Sequence, residues 1–448
     1  MSASIAYRHV VDHCFADHIG AGGLTEDEYA PMLAACAPAL ATLRVWHGDG
    51  KHPFLDLPGR RDDLAQIEAA ARRLNEMFDD VVVLGTGGSS LGGRVLTALM
   101  QPAHAPRRES GAAKTGCARV HFMENVDSRS FAELFAALDL RRTGFVAISK
   151  SGRTMETLAQ FLVCLTAVRE SVDEARVARH FLAVTQPGTN PLRNLAEHRR
   201  IAVLDHDPDL GGRFAALSVV GLLPAKIAGL DIAAARQGAE DVVRQTLEAK
   251  TPGDSAPAVG AAINLALLRH KGVTNAVIMP YADALAPFGL WFRQLWAECL
   301  GKDGHGTTPI HAVGTIDQHS QLQLYLDGPA DKLVTLIAED CAGRGPVVDS
   351  DGGPDAELDW LVGRTLGDLM DASQRATWQT LAKRGRPVRV FRLAALDART
   401  MGAMMMHFML ETAIAAHLLG VDPFDQPAVE AGKVLARDHL RRIVPRRS

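Results

Sequence analysis

From about Asp80 onward the chain repeats one rhythm: a short apolar run rich in β-branched residues, a Gly- or Ser-rich turn, then a longer stretch with helical spacing. The runs are Val81–Leu84, Val120–Met123, Phe145–Ile148, Phe181–Val184 and Ile201–Leu204. Strands without polar alternation need cover on both faces, and a parallel sheet wrapped by helices supplies it. Residues 80–205 are therefore expected to form a doubly wound domain. A second set, Ala276–Pro280, Leu333–Ala338 and Val388–Leu393, alternates with helical segments such as Leu285–Leu300 and Trp360–Lys383. Gln245–Pro257, with its Thr-Pro-Gly-Asp turn, reads as the joint between the two. The expected architecture is α/β: a mainly helical segment over 1–75, one doubly wound domain with a mainly parallel sheet over 76–245, a second over 258–420, and a helical tail over 421–448.

Charge narrows the function. With 48 Lys and Arg against 52 Asp and Glu, the formal charge of −4 gives no global basic field to grip a polyanion. Nucleic acid and anionic membranes are not expected partners. The six cysteines, at 14, 36, 117, 164, 299 and 341, include no CxxC pair, and several lie in apolar helical stretches where free thiols reside. That favours a reducing compartment. The N-terminal stretch carries Arg8, Asp12, His9 and His13 among its apolar residues and lacks the continuous run of a signal peptide. The apolar windows 214–230 and 401–420 are interrupted by Pro224 and Lys226 and by His407 and Glu411. A cytoplasmic globular enzyme is expected.

Two loops stand out as sites for chemistry. In Val81–Leu99 a strand passes through a glycine loop into a helix, a place where backbone amides and the helix N-terminus meet an anion. The dinucleotide fingerprint fails there, because Ser90 stands where the third glycine belongs, and the phosphate-loop motif fails because Gly87 to Arg94 ends in Gly-Arg. Gly88-Ser89-Ser90-Leu91-Gly92 does satisfy G-x-S-x-G, which would make Ser90 a hydrolase nucleophile. A hydrolase elbow, a tight turn without chemistry and a small-anion site all stay open at this loop. The second loop, Ser149-Lys150-Ser151-Gly152-Arg153-Thr154, leaves another apolar strand just before a helix. Ordinary N-capping accounts for one hydroxyl, not three. Three hydroxyls, free amides and the charge of Lys150 or Arg153 suit a phosphate monoester. Both loops leave the carboxyl ends of parallel strands, where open α/β sheets bind ligands.

Six blocks carry a further signal: GTGGSSLGG (85–93), SKSGRTMET (149–157), DLGGRFAALS (209–218), WFRQLWAECLGK (291–302), DQHSQLQLYLDG (317–328) and FDQPAVEAGK (424–433). Together, and in this order, they resemble the glucose-6-phosphate isomerase family, in its shorter bacterial type, from about residue 80 to 435. Ala215 and Cys299 stand where that family usually has Ser, and Ala428 where it usually has Gly. These exchanges are small for small.

The resemblance implies two sugar-isomerase (SIS-type) domains, a homodimer with active sites between domains and subunits, and a hexose 6-phosphate substrate. It implies Glu298 as the base that moves a proton between C2 and C1 of the sugar, Gln294 one helical turn earlier as a substrate contact, and Arg213 as the cation facing the enediolate. His319, contributed across the dimer interface, and Lys433 would open the sugar ring, and Gln426 would touch substrate. Ser149, Lys150, Ser151 and Thr154 become the phosphate clamp, Gly88 and Ser89 meet the sugar, and Ser90 loses its catalytic part. Isomerisation is redox-neutral and needs no cofactor. His305, His311 and His319, spaced by six and eight residues, match no compact ligand pattern, so no metal is assigned. A sugar-phosphate-binding regulator on the same fold would need the clamp but not Glu298, His319 and Lys433.

Overall fold

The structure, a computed structural model, describes residues 6–101, 116–349 and 356–444. Two five-stranded sheets organise it. The first comprises β2 (Asp80–Leu84), β3 (Arg119–Met123), β4 (Thr143–Ile148), β5 (Phe181–Thr185) and β6 (Ala202–Asp205), every pair parallel, in the order β3-β2-β4-β5-β6. The second comprises β7 (Asn275–Pro280), β8 (Thr308–His311), β9 (Lys332–Glu339), β10 (Val388–Leu393) and β1 (Tyr7–Val10), in the order β1-β10-β9-β7-β8. Only β1 runs antiparallel. The apolar central strands are buried throughout or nearly so, as continuous hydrophobic runs require.

The eight apolar runs of the sequence all form strands, within a residue or two at the ends. β1 and β8 have no such signature, because each is four residues of mixed character, Tyr-Arg-His-Val and Thr-Pro-Ile-His. Both are edge strands, where the Arg8 side chain reaches solvent and Pro309 leaves no central ladder bond unmade. β1 also places a strand within the mainly helical N-terminal segment. The expected helix Trp360–Lys383 starts only at Leu366, where Thr365 and Asp368 form a reciprocal capping box. Gln245 falls inside the Ile232–Glu248 helix, so the break in the expected joint is confined to residues between Glu248 and Ala256, where Thr251 and Asp254 pair and Ser255 caps the next helix.

The Ala398–Leu419 helix is the centre of the packing, with every residue from Thr400 to Ala416 buried. It lies hard against the Ile232–Glu248 helix. A Cβ on Gly402 would fall 1.7 Å from the Ala235 carbonyl oxygen, and one on Gly238 would fall 1.8 Å from that of Arg399. Glycine is what permits this backbone approach. Among the described residues this is the one helix long and apolar enough to cross a membrane by length and composition, but 83% of its apolar window is buried inside the protein. It also carries a buried charge network. Glu411 accepts from Arg389 at 2.8 and 3.0 Å, from Asn264 at 2.9 Å and from His407 at 3.0 Å, while the Tyr7 hydroxyl meets the other His407 nitrogen at 2.6 Å. Tyr7 thereby ties β1 to the core.

Candidate active site

At the carboxyl ends of the first sheet's strands, the loops after β2, β4 and β6 converge. The turn after β2 and the one bearing Arg213 are in backbone contact, since a Cβ on Gly88 would lie 2.3 Å from the Gly212 carbonyl carbon. A side chain at Gly88 would force these turns apart. Gly87, at φ +57°, lies beside the Gln294 amide. Gln294 and Glu298 come from the Ala286–Leu300 helix, one turn apart, so a single face presents both.

Glu298 is held by two donors. Gln294 Nε2 donates to its Oε1 at 2.9 Å and Arg213 Nη1 donates to its Oε2 at 3.1 Å. The Arg213 side chain is only 2% exposed, against 28% for Glu298. A guanidinium this deep must use all its donors. Nε donates to Cys299 Sγ at 3.1 Å and to the Pro423 carbonyl at 3.2 Å, and Nη2 donates to the Pro423 carbonyl and, at 2.9 Å, to that of Asp425. Burial pushes the Cys299 thiol up to about 11, although Arg213 opposes it, so the sulfur stays a neutral acceptor. The guanidinium is thus clamped in one orientation beside the carboxylate. Among the described residues nothing donates to the buried Gln294 Oε1, which leaves an acceptor at the same spot.

The turn after β4 lies next to this cluster. Ser149 Oγ and Thr154 Oγ1 are 2.9 Å apart, and Ser151 Oγ accepts from the Arg153 amide at 3.2 Å. Thr154 occupies the N-cap of the Met155–Ser171 helix, yet its hydroxyl makes no capping bond. Ordinary capping therefore does not explain these hydroxyls, and the first amides of the helix stay open to an acceptor. Burial lowers the pKa of the Lys150 ammonium; Asp209 and Asp207 oppose the shift and Arg213 adds to it. Lys150 thus shares an electrostatic neighbourhood with Arg213.

Ser90 has no such freedom. Its hydroxyl donates to Glu124 Oε1 at 2.6 Å, and Glu124 is in turn paired with Arg94. Among the described residues no histidine bonds that hydroxyl, so they do not assemble the serine–histidine pair of a hydrolase.

The structure brings Glu298, Arg213, Gln294, Gly88 and Ser89 together, with Ser149, Lys150, Ser151 and Thr154 on the adjoining turn. It does not bring in three other expected residues. His319 caps the short Ile316–Gln318 turn and is exposed, Gln426 is exposed, and Lys433 is exposed on the Glu430–Arg442 helix, where its ammonium meets Glu430 at 2.6 Å. That helix buries no residue. The sequence reading missed the backbone carbonyls of Pro423 and Asp425, because a main-chain acceptor has no side-chain signature. The segment Asp422–Asp425, a backbone strap, is seated in part by the long-range packing of Phe424 on His52, at 4.2 Å between rings.

Residues 70–331 match the family model described as phosphoglucose isomerase. The chain is 38% identical to the glucose-6-phosphate isomerase of Rubrobacter xylanophilus over 92% of this chain and 93% of that one. It is 44% identical to the probable glucose-6-phosphate isomerase of Halobacterium salinarum over 72% of this chain and 73% of the relative. Among solved structures, a Thermus thermophilus protein described only as hypothetical superposes with a TM-score of 0.83 at 31% identity, covering 97% of this chain and 99% of that one. A glucose-6-phosphate isomerase of Chlamydia trachomatis superposes with a TM-score of 0.71 over 87% of this chain and 78% of that one, and at 23% identity that likeness bears on the fold alone.

Proposed function

The chain belongs to the phosphoglucose isomerase family and interconverts glucose 6-phosphate and fructose 6-phosphate, and we propose the following division of labour for its residues. The observation that carries it is the Glu298 carboxylate held between Gln294 and the buried Arg213, beside a turn with three hydroxyls, none of which caps the Met155–Ser171 helix that follows. Ser149, Ser151, Thr154 and the amides ahead of the Met155–Ser171 helix grip the phosphate, with Lys150 supplying charge. Gly88 and Ser89 meet the sugar and Gln294 Oε1 accepts from a hydroxyl. Glu298 takes the proton from C2 and returns it to C1, and the reverse. Negative charge develops on the enediolate oxygens in between, and the fixed guanidinium of Arg213 is already oriented to meet it. The cost of orienting that cation is met in folding, by the Pro423 and Asp425 carbonyls.

Ring opening requires an acid at the ring oxygen and a base at the first hydroxyl. His319 and Lys433, with Gln426 beside substrate, are assigned to that step, with His319 of the partner subunit completing each site. Two features support a homodimer: these residues are exposed within one chain, and the Glu430–Arg442 helix buries nothing while Val434, Leu435 and Leu440 face solvent. A cytoplasmic setting is supported by the free thiols of Cys14, Cys36, Cys164, Cys299 and Cys341.

Purified protein with fructose 6-phosphate, coupled to glucose-6-phosphate dehydrogenase and NADP, is expected to form NADPH. A flat trace with sugar phosphate still bound in calorimetry would favour a regulator instead. Ser149→Ala is expected to raise KM about tenfold and leave kcat within about twofold, because the phosphate contact is made equally in ground and transition states. Subunit sharing has its own test. Glu298→Gln and His319→Ala protein, unfolded and refolded together, are expected to recover about a quarter of wild-type activity, since half the dimers would carry one intact site of two. Recovery no greater than the sum of the two variants would contradict it.

A further inference from the structure

We propose that Lys302 is a positioning residue for the isomerisation step, acting on Arg213 through the backbone strap Asp422–Asp425. This rests on the assignment of Arg213 and Glu298 above. Lys302 follows the end of the Ala286–Leu300 helix, four residues after Glu298, and its side chain is only 10% exposed. It reaches the strap twice: Nζ donates to the Asp422 carbonyl and pairs with the Asp425 carboxylate at 2.8 Å. Arg213 takes the alternate acceptors of the same strap, the carbonyls of Pro423 and Asp425. Two nearly buried cations therefore interleave along four residues, and neither touches an acceptor the other uses. The strap's remaining anchor is apolar, Phe424 lying among His52, Trp46, Phe54 and Phe214 with ring centroids 4.2 to 5.9 Å away.

The division has a consequence. Phe424 fixes where the strap lies, and its amide donates to Asp422 Oδ1 at 2.8 Å, which holds the plane of the Pro423 carbonyl to the Asp422 side chain. Lys302 holds the strap on either side of Phe424, by the Asp422 carbonyl and by the Asp425 side-chain carboxylate, and so restrains the segment whose Pro423 and Asp425 carbonyls point at Arg213. Those carbonyls set the tilt of the guanidinium. A misplacement of about 1 Å in a group that stabilises developing charge costs rate more than binding. Removing Lys302 should therefore lower kcat and spare KM.

The test is Lys302→Met, which keeps length and burial without the donors, beside Lys302→Arg. For Lys302→Met, kcat is expected to fall about tenfold with KM within about twofold, a loss of about 1.4 kcal/mol of transition-state stabilisation. Lys302→Arg is expected to recover most of it. A lowered unfolding midpoint with wild-type kcat in the folded fraction would mean a structural role only and overturn the proposal, as would a rise in KM alone. Hydrogen exchange at the Arg213 Nε–H, read by nitrogen-15 NMR, does not depend on turnover. Lys302→Met is expected to speed it about tenfold or more, and unchanged protection would overturn the proposal even if the assignment of the reaction proved wrong.

Discussion

Glu298→Gln is expected to lower kcat about a thousandfold while changing sugar-phosphate affinity less than about threefold. A positioned general base contributes about 10²–10⁴ in rate. Glutamine keeps the shape of the side chain and keeps an acceptor for Arg213 Nη1, now 3.1 Å from the carboxylate, so the pocket should persist. It cannot take a proton. Steady-state kinetics with the coupled assay read the rate, and calorimetry with fructose 6-phosphate reads the affinity. A variant that kept more than about a tenth of wild-type kcat would remove Glu298 from the proton transfer.

The largest effect on stability is expected at Glu411, far from the substrate. Glu411→Gln leaves the Arg389 guanidinium, 2% exposed, without its charged partner in the core. Breaking a buried ion pair from one side costs about 3–5 kcal/mol, because the surviving charge is neither solvated nor paired. The loss should show as a lower midpoint in urea unfolding. Acid should act on the same network. Burial lowers the His407 pKa, with Glu411 opposing and Arg389 adding, and burial with His407 and Arg389 lowers that of His9 well below its ordinary value. Both are neutral in the folded protein, whereas in the unfolded chain each takes a proton near pH ~6.5. Their contribution is therefore present above about pH 6.5 and is lost as pH falls below it. Glu411 adds a second loss in more acidic solution. Burial would raise its pKa, but Arg389 and His407 hold it below the usual range, so its ionised form is favoured by folding and that stability fades as the carboxylate is protonated. Unfolding midpoints between pH 7.5 and 5 should decline, without a rise at any step.

How much of this was legible in the sequence depended on where each residue's environment came from. Strands such as Val81–Leu84 and Phe145–Ile148 announce themselves, since burial on both faces leaves only apolar residues and that pattern is local. β1 and β8 were silent because four residues of mixed character, Tyr-Arg-His-Val and Thr-Pro-Ile-His, make no apolar run. The Gln294–Glu298 pair was legible through the family resemblance, with helical spacing adding only that both share one face, and the hydroxyls of Ser149, Ser151 and Thr154 from their excess over what capping requires. Ser90 was ambiguous: its G-x-S-x-G context is local, but the Glu124 that occupies its hydroxyl lies 34 residues away. The strap was the least visible. Its carbonyls hold Arg213 from more than 200 positions along the chain, through bonds that any amino acid could make. His407 and Glu411 looked like interruptions of an apolar window, and they proved to be a paired network completed by Arg389, Asn264 and Tyr7.

The central claim is that one carboxylate carries the proton between C2 and C1. Its most direct test is solvent exchange: fructose 6-phosphate incubated in D₂O with wild-type protein or with Glu298→Gln, and the sugar carbons followed by NMR. Wild-type protein should place deuterium at C2 of glucose 6-phosphate and at C1 of fructose 6-phosphate, while Glu298→Gln should bind the sugar and leave both positions unlabelled over the same time. Deuterium entering at a near wild-type rate in Glu298→Gln would contradict the account.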